Sequence, residues 1–160
     1  MATAMDQERV ESIKAGGIAA LTGTAVSAVV VLLTPNLMSL YPLTAGTVIP
    51  LLTAGTVPDL LTAGTVRIAI ATVCAFLFGV TYRYVVRNDS NPHLRSGAVG
   101  AFALTRSLGQ LESMTPSDLT LSGALPFVLP IVESFGLFLS IRLVLDLGLK
   151  QQWFQPFESD

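Results

Sequence analysis

The stretch Ala15-Gly-Gly-Ile-Ala-Ala-Leu-Thr-Gly-Thr-Ala-Val-Ser-Ala-Val-Val-Val-Leu-Leu-Thr34 decides the fold class: twenty residues without a charge. At about 1.5 Å per residue, a helix of this length reaches roughly 30 Å, the thickness of a hydrocarbon core. Pro35 and Asn36 predict its end. Gly16, Gly17, Ala20, Gly23, Ala25, Ser27 and Ala28 make it a helix that another can approach closely. The approaching helix can belong to this chain or to a partner.

The whole chain has the same character. Of its 160 residues, 51% are hydrophobic and 12% are charged, with mean hydropathy +0.65. A soluble domain carries about 25% charged residues, and a chain this small has too much surface to hide such an apolar composition. This argues against a soluble enzyme and a disordered tail. Nine basic residues and a net charge of −2 give no surface for nucleic acid. The reading is an all-α integral membrane protein with three to four transmembrane helices and a Thr/Pro/Gly-rich repeat loop.

Further runs set the expected elements. Residues 1–14, with Asp6, Glu8, Arg9, Glu11 and Lys14, read as a retained polar tail, partly helical near its end, rather than a basic cleaved signal. A single membrane domain over 15–160 follows, with helices expected at about 15–34, 61–84, 96–111 and 127–149. The second is bracketed by Arg67 and Arg83, with Tyr82 and Tyr84 at the level of an aromatic belt. The third is short and contains Arg106; a span, a re-entrant piece and an interfacial helix all fit it, and a span is favoured. Pro126 and Pro130 interrupt the start of the fourth, which contains Glu133, Arg142 and Asp146. Trp153 and Phe154 follow as interfacial anchors. Basic residues alternate along the connections so that both termini fall on the cytoplasmic or stromal side, with Arg67 the exception.

The expected loop at 35–60 leads into a tandem repeat. Leu-Thr-Ala-Gly-Thr-Val starts at Leu43, Leu52 and Leu61, punctuated by Pro42, Pro50 and Pro58. The identity of the copies points to duplication, and the proline spacing argues against a helix there. Calcium-binding nonapeptide repeats need more Asp than Asp59. An expanded loop and an added contact surface are the two readings.

The residues that could carry chemistry are few. No catalytic or phosphate-binding motif appears. Cys74 is alone in an apolar run, and without Cys/His spacing no metal site is expected. Arg106 at membrane depth needs a partner, because an unpaired arginine costs about 2.5–3.5 kcal/mol at a helix centre on insertion scales. Glu133 is the first choice and Glu112 the alternative. Arg142 and Asp146 are four apart and share a face. Arg106, Glu133, Arg142 and Asp146 are therefore the candidate intramembrane ion pairs. They admit a structural lock, a polar path for a proton or ion, or contact with a partner or pigment head group. Arg83, Arg87 and Arg95 are candidates for contact with a partner or with anionic lipid. His93 could ligate a pigment's magnesium as neutral imidazole, or be an ordinary loop histidine.

The stretch Gly79-Val-Thr-Tyr-Arg-Tyr-Val-Val-Arg87, with Asn91-Pro-His-Leu-Arg-Ser-Gly-Ala-Val-Gly-Ala-Phe102 and the ending Leu145-Asp-Leu-Gly-Leu and Trp153-Phe-Gln-Pro-Phe157, resembles a family of small cyanobacterial and plastid thylakoid membrane proteins. The resemblance covers about half the chain, and the triple repeat departs from it. One member type is an accessory photosystem I subunit of chlorophyll-d cyanobacteria. The resemblance implies a thylakoid location and a non-enzymatic role as accessory subunit or assembly factor of a photosynthetic complex, photosystem I first. Its partners would be other membrane subunits and lipids. No cofactor is demonstrable from the residues; chlorophyll or carotenoid would come through the larger complex. The alternatives are a small transporter or channel using the intramembrane Arg and Glu residues, and a membrane enzyme whose cofactor a partner supplies.

Overall fold

The structure, a computed structural model, describes residues 2–40, 57–86, 92–112 and 124–155. It is an all-α membrane architecture of four helices: α1 Ala2–Leu40, α2 Val57–Val86, α3 Pro92–Glu112 and α4 Ala124–Lys150. Three contain segments long and apolar enough to cross a bilayer: Asp6–Leu33, Gly64–Val86 and Val128–Lys150. α3 is not among them, although its 21 residues reach about 31 Å. Residues 41–56, with the first copy of the repeat and most of the second, lie outside the described residues, as do 87–91 and 113–123.

The helices overrun the bounds expected from the sequence. The expected polar tail over 1–14 is helical from Ala2. Its Ala, Met, Gln, Glu and Lys residues are good helix formers, and Lys14 and Glu11 pair at 2.7 Å across one turn. α1 also continues through Pro35 to Leu40, so the 35–60 loop begins later than expected. Proline removes one backbone bond without ending a helix, and membrane helices tolerate it. α4 likewise includes Pro126 and Pro130. Pro58 lies in the first turn of α2, where its missing N–H breaks no helical bond. The third repeat copy, Leu61–Val66, is therefore helical and leads into the apolar segment that starts at Gly64.

α1 and α2 are antiparallel and in backbone-close contact. The seam is Ala15, Gly16, Ala19 and Gly23 against Ala71, Ala75 and Gly79. A Cβ on Gly79 would stand 2.7 Å from the Ala15 carbonyl oxygen, and one on Gly23 would collide with the Ala75 methyl. The small face of α1 is thus used within this chain. Thr24 and Thr72 approach to 2.7 Å between their hydroxyls across the seam. Phe78 then joins α2 to the other two helices. Its ring centroid lies 5.3 Å from Phe102 of α3 and 5.2 Å from Phe138 of α4. Such aromatic pairs contribute about 0.5–1.5 kcal/mol each beyond their burial.

α4 closes on a Schellman turn. Gln152 N–H donates to the Leu149 carbonyl at 3.2 Å and Trp153 N–H to the Gly148 carbonyl at 3.0 Å, with Gln152 at φ 57°. The turn folds the tail back, so Phe154 is buried against Gly148 while Trp153 stays exposed. Of these two expected anchors, Trp153 alone is exposed. Tyr82 is likewise buried, and Tyr84 is exposed.

Three substitutions test this packing. Gly79→Ala forces α1 and α2 apart and lowers unfolding stability in detergent by about 1–3 kcal/mol, the range for overpacking a tight site. Gly100→Ala, with open space around it, leaves the midpoint of thermal unfolding unchanged or higher. Gln152→Gly removes a side chain from a left-handed position and raises stability by about 1 kcal/mol in the same measurement.

Candidate functional site

The charged residues gather in two layers, one at each end of the bundle. The first layer is at the end where the two described chain ends meet. Its centre is two consecutive residues of α2, Tyr82 and Arg83, each 1% exposed. Successive helical residues point about 100° apart, so the two reach different neighbours.

Arg83 reaches α1 and the tail. Its Nη1 donates to the Glu8 carbonyl at 2.9 Å and to Ser12 Oγ at 2.7 Å, and its Nη2 pairs with the Glu8 carboxylate. Nε donates to the Gln155 carbonyl at 2.8 Å. Gln155 N–H in turn donates to Glu11 at 3.1 Å. One guanidinium thus closes α1, α2 and the C-terminal segment together. The expectation that Arg83 contacts a partner or lipid head groups is overturned, because nothing of its side chain is exposed.

Tyr82 reaches the other way. Its hydroxyl donates to Asp146 Oδ1 at 2.7 Å. Arg95 of α3 approaches the same oxygen at 3.4 Å, and Arg142 Nε lies 3.6 Å from Oδ2. Arg142 also donates to Ser96 at 3.2 Å. Asp146 is therefore a hub for α2, α3 and α4. Arg95 is engaged inside the chain; Arg87 lies outside the described residues. His93 is exposed in the first turn of α3 at this polar end.

The second layer is at the far end. Arg106 Nη2 of α3 lies 3.6 Å from Glu133 Oε1 of α4, and Arg67 Nη2 of α2 donates to Glu133 Oε2 at 3.0 Å. Arg67, the exception to the charge alternation, is thus matched by a carboxylate. Glu112 is exposed and is not part of this cluster. Between the layers lie the small-residue seam and the phenylalanine cluster. Among the described residues, no group of three or more His, Cys, Asp or Glu is placed to hold a metal. No family model, curated protein or solved structure matches the chain.

The residues missed from sequence were Glu8, Ser12, Gln155, Tyr82 and Arg67. Only the i, i+4 relation of Glu8 and Ser12 was a signal, and it says nothing of their common partner on α2.

The two carboxylates of α1 near this end differ in what they hold. Glu8→Gln removes the counter-charge of a fully buried guanidinium and costs about 3 kcal/mol. Glu11→Gln, whose ionic partner Lys14 is exposed, costs under about 1 kcal/mol. Thermal unfolding in one detergent compares the two, and equal losses would contradict the hub role of Arg83.

Proposed function

We propose that the chain is a non-enzymatic accessory subunit or assembly and stabilising factor of a larger membrane complex. The observation that carries this reading is that Arg106 and Glu133 face each other, within ion-pair layers that tie helix to helix. Charges used in this way hold a bundle rather than line a path. The space between the layers is filled by apolar side chains, among them Ala19, Ala71, Ala75, Phe78, Phe138 and Ile141, which supports the structural reading over transport.

An accessory subunit also needs a face to offer. α3 presents Gly97, Ala101, Thr105 and Gly109, four residues apart in each case, all exposed. Cβ atoms at Gly97 and Gly109 would meet nothing within 4 Å. Small residues at this spacing allow close helix approach in a membrane. The photosynthetic assignment, with photosystem I as the complex and the thylakoid as the membrane, rests on the resemblance of Gly79–Phe157 and not on this geometry. In that reading both termini face the cytoplasm or stroma, and any chlorophyll or carotenoid is held mainly by the larger partner.

Native membranes solubilised in mild detergent and separated on a sucrose gradient test the proposal. The chain, followed by mass spectrometry, is expected in a chlorophyll-bearing photosystem fraction, and Ala101→Leu is expected to shift it toward free protein. Sedimentation of the native chain alone and colourless would overturn the subunit reading. Solute flux into proteoliposomes that Glu133→Gln abolishes would instead establish the transporter alternative.

A further inference from the structure

Among the described residues the far charged layer is unbalanced. Two guanidinium groups, Arg67 and Arg106, share the carboxylate of Glu133, so these three side chains together carry a charge of about +1 at neutral pH. The sharing is unequal: 3.0 Å to Arg67 and 3.6 Å to Arg106. The Arg106 side chain is only 7% exposed, and its Nε and Nη1 are buried without a hydrogen-bond partner. Buried donors left in this state are costly. Arg67 is the accessible member, 46% exposed.

Next to this cluster is a groove. Ala69, Ile70, Val73 and Cys74 line a shallow apolar depression of about 280 Å³ on the outward side of α2. Ile70 and Cys74 follow Arg67 by three and seven residues, so they lie on its face of the helix. Side chains on a helix lean toward its N-terminus, so Arg67 leans away from the groove and toward the end of the bundle. A cation above an apolar groove is the complement of an anionic amphiphile.

We infer that this site binds an anionic phospholipid, its phosphate on Arg67 and one acyl chain in the groove of Ala69, Ile70, Val73 and Cys74. The phosphate oxygens supply the second negative charge that the cluster lacks. With Arg67 engaged by phosphate, Glu133 closes the longer gap to Arg106 and meets its unpartnered nitrogens. The lipid thereby tightens the α3–α4 contact. A zwitterionic lipid brings no net charge and does not drive this exchange. The inference does not depend on which complex the chain joins.

Native mass spectrometry of the full chain in neutral detergent tests it. The probes are phosphatidylglycerol, phosphatidylcholine with the same acyl chains, and inorganic phosphate. One phosphatidylglycerol is expected to be retained, at least about fivefold in preference to phosphatidylcholine, the discrimination one basic side chain gives near an anionic lipid. Arg67→Gln is expected to remove the preference and Arg67→Lys to keep most of it. Ile70→Trp, at an exposed position, alters the groove without removing a charge and is expected to weaken lipid retention about fivefold. Equal retention of the two lipids, or a preference unchanged in both Arg67→Gln and Ile70→Trp, overturns the proposal. Competition by inorganic phosphate with no effect of Ile70→Trp also overturns it, by making the site one for a free anion.

Discussion

A guanidinium with no exposure to solvent or lipid must find every partner inside the protein, and Arg83 is such a group. Removing a charge from water costs several kcal/mol even after relaxation. That cost is offset only if its donors meet oxygens. The oxygens come from the Glu8 side chain, the Glu8 and Gln155 carbonyls and Ser12. None of these groups is near Arg83 in sequence. The first turns of α1 and the tail after α4 are therefore held in register by one residue of α2. The Schellman turn at Gln152 supports the same end, since it brings Gln155 back toward α2 and α1.

The middle of the bundle works by an opposite principle. There α1 and α2 meet through glycine and alanine, where backbone atoms can approach and dispersion contacts accumulate. Phe78, Phe102 and Phe138 extend the contact to α3 and α4. Arg67 and Arg83 are sixteen residues apart on α2, about 24 Å along the axis. That is less than the roughly 30 Å of a hydrocarbon core. The two charged layers therefore fall within or at the edge of the apolar slab, where isolated charges are expensive. Pairing across helices lets a chain with so few charged residues place several of them at such depth.

The helices were legible because long charge-free runs have few other stable uses. Ala15–Thr34 and Ile68–Tyr82 contain nothing that would end a helix. The Arg142–Asp146 pair follows from a four-residue spacing, which needs no tertiary information. The limits of the helices were harder to read, because proline was given too much weight: Pro35, Pro126 and Pro130 all lie within helices. Arg83 was misread for a different reason. An arginine beside two tyrosines at the end of an apolar run has the composition of an interfacial anchor. Whether it points to head groups or into the bundle depends on Glu8, Ser12 and Gln155, which lie more than seventy residues away. Phe154 was misread in the same way: Gln152 in a left-handed conformation turns it inward, and glutamine gives little notice of that geometry.

α3 shows how far one helix of such a bundle depends on another. Arg95 and Arg106 are eleven residues apart, about 17 Å along the axis. The apolar segment between them is too short to cross a bilayer alone, and both arginines would enter the slab unpaired. Asp146 and Glu133 of α4 meet them at the two ends, thirteen residues or about 20 Å apart. The antiparallel arrangement matches the two separations closely. α4 is long and apolar enough to cross without help, and α3 packs along it as the other arm of a helical hairpin. The amphipathic character of α3 then has a physical explanation: its inner face is fixed by α4 and Phe78, and its small outer face is left free of that constraint.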